Sequence, residues 1–260
     1  MSKTQKELAF LREMTVESEW TERFTEYLDK NFKFDKKQSI LYVNAGAGNH
    51  ALALREKLDD ETEIYAVSDN EDLRSIAQAK GEAVKADIHF DTYLPEEKFD
   101  VVIADASFVK PYEINELLAD IVEAAESQVA FFLPTKGSFG EIFSFLWETL
   151  LETDLLEKSE NVERLIAEIP TIEDVAEEAG KLGLRKIEHS TGIEIFEFKN
   201  GAEFVSAPLV ADFLLPVWLD FLTDEEQEKV STKLAELVDA EDGNLSFRFS
   251  VKNTLFSGEK

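Results

Sequence analysis

The chain has 260 residues, of which 44% are hydrophobic and 11% aromatic, so it can bury a substantial core and is too apolar for a disordered acidic segment. It carries 55 Asp and Glu against 27 Lys and Arg, a formal net charge of −28. Such acidity excludes a general nucleic-acid binder and disfavours docking on anionic membranes. Cysteine is absent, which excludes disulfides, thiolate nucleophiles and cysteine-ligated metals, and three scattered histidines predict no metal site.

The N-terminus and the most apolar segment bear on localisation. The first fourteen residues are charged throughout and lack the apolar centre of a signal peptide. The most apolar stretch, residues 205–222, contains Asp212, Asp220 and two prolines, which is untypical of a membrane span. We therefore expect a cytoplasmic protein. This stretch is predicted either to cover an edge of the fold or to form the contact of a homodimer.

In chain order, a helical region is followed by alternating strands and helices. Residues 1–34 predict one or two helices, with aromatic residues at helical spacing. The predicted strands are then 39–46, 62–67, 82–87, 99–107 and 128–134, and the predicted helices between them are 49–58, 70–80 and 115–126. This alternation predicts a parallel, doubly wound sheet, and such sheets bind ligands at the edge formed by the carboxyl ends of their strands.

The second half of the sequence predicts helical insertions and closing strands. The predicted helices are 139–156, 161–169, 171–182 (with Thr171 as its N-cap and Gly183 as its stop), 202–222 and 224–238, and the predicted strands are 184–190, 192–198 and 245–258. We therefore predict an N-terminal helical lid, residues 1–34, and one sheet domain, residues 35–260, with helical insertions at about 139–170 and 202–240.

The turn after the first strand is the most informative segment. Gly46-Ala47-Gly48 leads from a buried strand directly into a helix; Gly46 permits a sharp turn, and Gly48 permits a ligand to approach main-chain amides. A tight turn without a ligand is the alternative. The residues after Gly48 do not supply the Gly-Lys-Ser/Thr ending of a phosphate loop. A dinucleotide fingerprint would have a third glycine near position 51, where Ala51 stands.

Motifs along the chain resemble those of class I S-adenosylmethionine-dependent methyltransferases. VNAGAGN is similar to the glycine-rich first motif, AVSDNEDL to the acidic loop after the second strand, and VKADI to the third-strand motif. FDVVIADAS is similar to the fourth-strand motif, and FLPTKGSFGE to the fifth strand with its loop. The resemblance covers most of the chain. It implies an α/β fold with a doubly wound, Rossmann-like sheet of seven strands, the last antiparallel, with helical insertions and N-terminal helices.

The resemblance also implies a cofactor, S-adenosyl-L-methionine, and residues that would hold it. The glycine turn would pass under the methionine moiety, the second-strand loop would reach the ribose, and the third-strand motif would reach the adenine. The fourth-strand motif would face the reacting centre. The candidate cofactor-binding residues are Asn44, Ala45, Gly46, Ala47, Gly48, Asn49, Ser68, Asp69, Asp87, Ile88, Asp105 and Ala106.

Two positions depart from the family's pattern, because Asn44 and Ser68 stand where that family usually has acids. Asn44 keeps an acceptor oxygen for the cofactor's ammonium but lacks the charge, and Ser68 offers one hydroxyl in place of a carboxylate. Each change is expected to weaken binding by about 1–2 kcal/mol.

Asp87, Asp105 and two histidines are the candidates for individual roles. Asp87 is predicted to end the third strand, where it either reads the adenine or caps a turn. Asp105 is predicted either to orient the substrate or to cap the turn before Pro111. His89 and, less favoured, His50 are candidate proton acceptors because an imidazole titrates near pH 7, and a structural role is the alternative for each.

The resemblance implies a methyltransferase that transfers a methyl group directly to an O, N or C atom of a small molecule. Such a transfer depends on alignment and exclusion of water more than on a dedicated acid or base. Two alternatives stay open. One is a catalytically decayed protein of the same fold that serves protein–protein interaction, which Asn44, Ser68 and the 205–222 segment favour. The other is a nicotinamide-dependent oxidoreductase, which the missing third glycine disfavours.

Overall fold

The computed structural model describes residues 3–34, 38–242 and 246–260, which form a seven-stranded sheet with flanking helices. The spatial order of the strands is β3-β2-β1-β4-β5-β7-β6, and β7 is antiparallel to β5 whereas β1 to β5 pair in parallel. This confirms the predicted α/β class and the antiparallel last strand. The strands are β1 Ser39–Val43, β2 Glu63–Val67, β3 His89–Asp91, β4 Phe99–Asp105, β5 Ala125–Pro134, β6 Arg185–Phe198 and β7 Phe247–Glu259.

Helices precede, connect and follow these strands. Thr171 caps its helix as predicted, since its side chain accepts a hydrogen bond from the Asp174 amide at 3.0 Å. The helices are α1 Gln5–Leu11, a π-helix Arg12–Thr21, α2 Glu22–Asn31, α3 Asn49–Lys57, α4 Glu71–Val84, α5 Ile114–Ala124, α6 Gly140–Glu152, α7 Ser159–Glu168, α8 Ile172–Lys181, α9 Gly201–Ser206, a second π-helix Leu209–Leu214, α10 Leu215–Trp218 and α11 Asp224–Asp242, with 3₁₀ turns at Pro111–Glu113 and Leu156–Lys158.

The chain divides into two compact units. The first unit comprises Met1–Pro134, Thr171–Gly192 and Asn253–Lys260, and the second comprises Thr135–Pro170 and Ile193–Lys252. The N-terminal helices belong to the same unit as β1 to β5, and the sequence-based division into a lid and one sheet domain remains a prediction. The predicted boundary at residue 35 and the predicted start of the last strand at Leu245 lie outside the described residues.

The core of the first unit lies on both faces of its sheet. On one face, β1, β4 and β5 pack against α5 and α8 through buried aliphatic side chains such as Leu118 and Val175. On the other face, Phe24 of α2 lies 5.8 Å from the ring of Phe132, and His50 of α3 contacts Tyr42. Strands buried on both faces read as continuous apolar runs, which is why their existence was predictable.

The second unit has an aromatic core of its own. Trp218 packs against Phe139 and Phe143, and the ring of Phe196 stacks on Phe249 at 4.9 Å. The apolar stretch 205–222 supplies buried residues to this unit. The helical character predicted for residues 202–222 is observed up to Trp218 in three pieces, and Pro208 lies between the first two.

Two strand predictions are corrected. Residues 82–87 are not a strand: α4 continues to Val84 and ends at Lys85, which has a positive φ of 57°, and the third strand is the three-residue β3. The two strands predicted to meet around Thr191 and Gly192 are one continuous strand, β6.

Candidate functional site

A cavity of about 450 Å³ opens in the first unit at the carboxyl ends of β1, β2, β3 and β4. This size falls within the range of small-molecule sites. The lining residues come from the N-terminal π-helix, from the loops after these four strands and from α5; they are Arg12, Val43, Asn44, Val67, Ser68, Asp69, Thr92, Leu94, Asp105, Phe108, Val109, Glu113, Glu116, Leu117 and Asp120. Five carboxylates and one guanidinium therefore border the cavity, which favours cationic groups.

The glycine turn lies beside this cavity, and its two glycines serve different purposes. Both have positive φ angles, 56° for Gly46 and 78° for Gly48. A Cβ on Gly48 would lie 2.9 Å from Ala77 and from the ring of Phe90, so this glycine is required for close packing of α4 and β3. A Cβ on Gly46 would instead meet the side chains of Arg12 and Glu17 at ordinary contact distance. Position 46 therefore has room for a side-chain atom beside Arg12 and Glu17, whereas position 48 has none.

The N-terminal π-helix supplies two charged side chains that cover Gly46. The guanidinium nitrogen of Arg12 lies 3.5 Å and the carboxylate oxygen of Glu17 3.6 Å from where a Gly46 Cβ would stand. Both side chains are buried, with 7% and 3% of their surface exposed. Residues five apart share a face when hydrogen bonds run from i to i+5, whereas an α-helix aligns residues three and four apart. The π-helical winding is thus what brings Arg12 and Glu17 together.

Arg12 links this helix to the loop after β2. Its Nη1 donates to Asp69 Oδ1 at 2.9 Å, and its guanidinium carbon lies 5.2 Å from the centre of the Phe108 ring. Burial opposes ionisation of the guanidinium, but the neighbouring carboxylates of Asp69 and Asp105 outweigh it and raise the pKa of Arg12. Arg12 is therefore a fixed cation among carboxylates.

Two buried carboxyl groups at the site are hard to ionise. Desolvation raises the pKa of Glu17 to about 7, with Arg12 opposing the shift and the charges of Asp105 and Glu13 adding to it. Desolvation likewise raises the pKa of Asp105 to about 6, opposed by Arg12 and by hydrogen bonds from Ser107. Perturbed carboxyl groups of this kind concentrate at functional sites.

Three buried polar atoms at the site have no hydrogen-bond partner among the described residues. They are Arg12 Nε, Glu17 Oε2 and Ser68 Oγ. A buried polar atom without a partner destabilises the fold by about 1–3 kcal/mol, so three of them around one turn indicate places where a ligand can bond.

Four of the sequence-predicted site residues line the cavity, namely Asn44, Ser68, Asp69 and Asp105. Asn44 has a positive φ of 56°, and its side-chain amide donates to the Asp105 carbonyl at 3.0 Å. Asp105 also accepts from the Ser107 amide at 2.8 Å, so it caps the turn and borders the cavity at once.

The other predicted cofactor-binding residues have structural contacts. Ala45, Ala47 and Ala106 are buried, and the side chain of Asn49 bonds to Glu13 and Lys80. Asp87 precedes β3 and lies beside the last turns of α3, at the amino-terminal side of the sheet. Its predicted place at a strand's carboxyl end is therefore wrong, and Ile88 is a buried neighbour.

The histidine candidates lie away from the cavity. His50 is held by Tyr42 Oη at 3.1 Å and by Asp29 Oδ1 at 3.2 Å, the bonds expected of a structural histidine. His89 is 62% exposed on β3, its ring lies 4.4 Å from that of Tyr65 at an interplanar angle of 37°, and it does not line the cavity. Neither is positioned as a proton acceptor there.

Sequence reasoning missed the loop after β3 and the π-helix. Thr92 and Leu94 stand where Asp87 and Ile88 were expected; the only signal was Pro95, which marks a loop just beyond them. Arg12 and Glu17 are five residues apart in a segment rich in charged side chains. Nothing in the local sequence distinguishes them from exposed charged residues on a helix surface.

Solved structures of low sequence identity share the whole fold. The chain is similar to the YcgJ protein from Bacillus subtilis, with a TM-score of 0.58 at 11% identity over 92% of this chain and 98% of that one. It is also similar to an S-adenosylmethionine-dependent methyltransferase from Thiobacillus denitrificans in complex with S-adenosyl-L-homocysteine, with a TM-score of 0.56 at 12% identity over 100% of both chains. A third similar structure is the cyclase SpnF, with a TM-score of 0.52 at 14% identity over 92% of this chain and 80% of that one.

These likenesses show that the chain has the fold of class I S-adenosylmethionine-dependent methyltransferases, which confirms the fold that the resemblance implied. The presence of a cyclase among them shows that the fold alone does not define a reaction. No family model matches the sequence, and no curated protein matches it.

The described residues offer neither a candidate metal site nor a candidate membrane span. No group of three or more acidic or histidine side chains is placed to hold a metal ion. In the same part of the chain, every helix is too short or too polar to cross a bilayer.

Proposed function

We propose that this protein is an S-adenosylmethionine-dependent methyltransferase that acts on a small molecule. The observation that carries the proposal is the acidic cavity beside Gly46, at the edge of the sheet where this fold class holds ligands. A sulfonium cofactor is cationic at its reactive centre, and the cavity borders five carboxylates.

The residues present fit this cofactor. Ser68 Oγ, Arg12 Nε and Glu17 Oε2 lack partners although they are buried, and the cofactor offers ribose hydroxyls, a carboxylate and an ammonium. Asp69 borders the same cavity and would accept from the ribose hydroxyls, while Thr92 and Leu94 would flank the adenine. In this proposal the loop after β3 takes the role beside the adenine that the sequence analysis gave to Asp87.

When bound, the cofactor supplies an activated methyl group, and the protein's task is alignment and exclusion of water. Trp20, which is fully buried and donates to Ser107 Oγ at 2.9 Å, holds the π-helix over the loop after β4. Asp105 ends β4 beside that loop and would face the acceptor. Because burial raises its pKa to about 6, Asp105 is largely ionised at neutral pH and can orient a donor group of the acceptor.

The class of acceptor is proposed from charge. The net charge of −28 and the carboxylates of Glu113, Glu116 and Asp120 at the cavity oppose polyanionic acceptors such as nucleic acid. A small neutral or cationic molecule with an O, N or C nucleophile fits this surrounding.

Calorimetric titration of cofactor-stripped protein tests the proposal. We expect S-adenosylmethionine and S-adenosylhomocysteine to bind with dissociation constants of roughly 1–100 μM, and NADH to give no heat. Asp69→Asn should weaken both by about tenfold or more, because it removes a charged acceptor. Asp87→Asn is the matched control and should leave the affinity unchanged, since Asp87 lies at the opposite side of the sheet.

The catalytically decayed alternative has one observation in its favour, namely that Arg12 and Glu17 already cover Gly46. Seven residues of the segment 205–222, its expected interface, are instead buried in the second unit, among them Trp218 and Leu219. Absence of heat with both cofactor forms at millimolar concentration would favour this alternative over the methyltransferase.

A further inference from the structure

We propose that Glu17 and Arg12 clamp the amino-acid moiety of the cofactor, Glu17 taking the ammonium and Arg12 the carboxylate. This inference rests on the proposed function and adds a ligand set from the N-terminal π-helix. It explains how the site supplies a negative charge for the ammonium although position 44, where the resembling family usually has an acid, holds an asparagine.

Asn44 does not substitute for an acid at its own position. Its side-chain amide donates to the Asp105 carbonyl, and an ionised aspartate has no proton with which to make that bond. The asparagine thus serves the junction between the ends of β1 and β4. The charge for an ammonium must then come from another element.

Glu17 is the buried carboxylate that reaches the turn. Its Oε2 lies over Gly46, on the side where a Cβ would project, and has no hydrogen-bond partner among the described residues. Removing a carboxylate from water without a partner is unfavourable, so its retention at 3% exposure is accounted for by a ligand that bonds to it.

Arg12 supplies the opposite charge at the same place. It uses Nη1 for Asp69, while its Nε remains buried and unpartnered, and guanidinium has five donors in a planar fork suited to a carboxylate. A zwitterion with an ammonium and a carboxylate on one carbon matches a carboxylate and a guanidinium that lie side by side.

The experiment compares two ligands and three proteins. S-adenosylhomocysteine carries the amino-acid moiety, whereas 5′-methylthioadenosine keeps the adenosine and the thioether without it. We expect Glu17→Gln to weaken S-adenosylhomocysteine by at least about tenfold and to leave methylthioadenosine unchanged. Glu19→Gln, the same change at an exposed position of the same helix, should alter neither affinity. Thermal unfolding of each variant verifies that it is folded.

A pH series with the unchanged protein provides a second measurement that requires no variant. The charged and titratable groups that face Glu17 are Arg12 and Glu13 on its own helix, Asp105 at the end of β4, Lys80 on α4 and Tyr42 on β1. Only ionised Glu17 accepts the ammonium, so the affinity for S-adenosylhomocysteine should rise by roughly tenfold from pH 6 to pH 8 as its carboxyl group, with a pKa of about 7, deprotonates. This rise should be largely lost in Glu17→Gln.

Three outcomes would overturn the clamp while the proposed function stands: equal binding of S-adenosylhomocysteine by Glu17→Gln, tighter binding by it, or an equal loss for both ligands. Failure of the unchanged protein to bind any adenosyl ligand would instead reject the proposed function itself, and the clamp with it.

Discussion

At the scale of single residues, Glu17 and Asp105 are buried carboxyl groups whose ionised forms are disfavoured in the folded protein. Both carboxyl groups have a higher pKa in the folded protein than in the unfolded chain, because burial disfavours their charged forms. Such groups favour the folded state below their unfolded pKa and lose that contribution as the pH rises through the folded pKa. Ionisation of these two groups therefore lowers the stability of the folded protein at the place where a cationic ligand is proposed to bind.

The pH dependence of stability tests this statement. Replacing Glu17 by Gln should stabilise the protein increasingly between about pH 4.5 and pH 7, relative to its effect at low pH, and the gain should level off above pH 7 at about 3 kcal/mol. Urea denaturation of the unchanged protein and of Glu17→Gln across this range measures the difference. A difference that does not vary with pH would show that Glu17 ionises as freely in the folded chain as in the unfolded one.

Glycine positions illustrate what a residue type alone leaves undecided. Gly46 and Gly48 are equivalent as letters in a turn, and both adopt a left-handed conformation. Only the packed structure shows that Phe90 and Ala77 leave no room for a side chain at position 48, whereas position 46 faces Arg12 and Glu17. The glycine motif was thus predictable from sequence, but the different structural roles of Gly46 and Gly48 were not.

At the scale of elements, the N-terminal π-helix is the piece that completes the site. Helix, predicted for residues 1–34, is observed from Gln5 to Asn31, and the π-helix within it is packed into the first unit through the buried side chains of Val16, Trp20 and Thr21. The hydrogen bond from Trp20 Nε1 to Ser107 Oγ fixes this helix beside Asp105.

Trp20→Phe tests how strongly that bond holds the helix. The variant loses one buried hydrogen bond and leaves Ser107 without its donor, so we expect a destabilisation of about 1–3 kcal/mol and faster amide exchange over residues 5–31. Trp147→Phe is the control, since Trp147 is 42% exposed on α6 and its replacement should change stability by less than about 0.5 kcal/mol. Equal effects of the two changes would contradict a holding role for Trp20.

The third strand shows why an element can be mislocated. Residues 82–87 mix small apolar and polar side chains and were predicted as a strand, yet α4 continues through Val84 because Leu73, Ala77 and Gly81 form one buried stripe at helical spacing. The true strand, β3, has three residues and only Phe90 is buried, so its signal is too short to compete. This error moved Asp87 to the wrong side of the sheet.

At the scale of the whole molecule, the net charge of −28 dominates. Repulsion among like charges destabilises the compact state, and salt screens it, with a screening length of about 10 Å at 0.1 M. We expect the melting temperature at neutral pH to rise as NaCl is increased from about 0.01 M to about 0.5 M. The same series near the isoelectric point of about 4.4 should give a much smaller rise, and a melting temperature that falls with salt at neutral pH would contradict this account.

Fold class and the edge of the sheet that holds the cavity could be read from local patterns. Buried strands, helix caps and turn glycines are properties of short segments, and right-handed connections then limit the topology. The charged cluster of Arg12, Glu17 and Asp69 could not be read in this way. Its members are up to 57 residues apart, and their burial and pKa shifts arise only when the π-helix packs onto the glycine turn, because desolvation depends on every neighbour in space and not on neighbours in the chain.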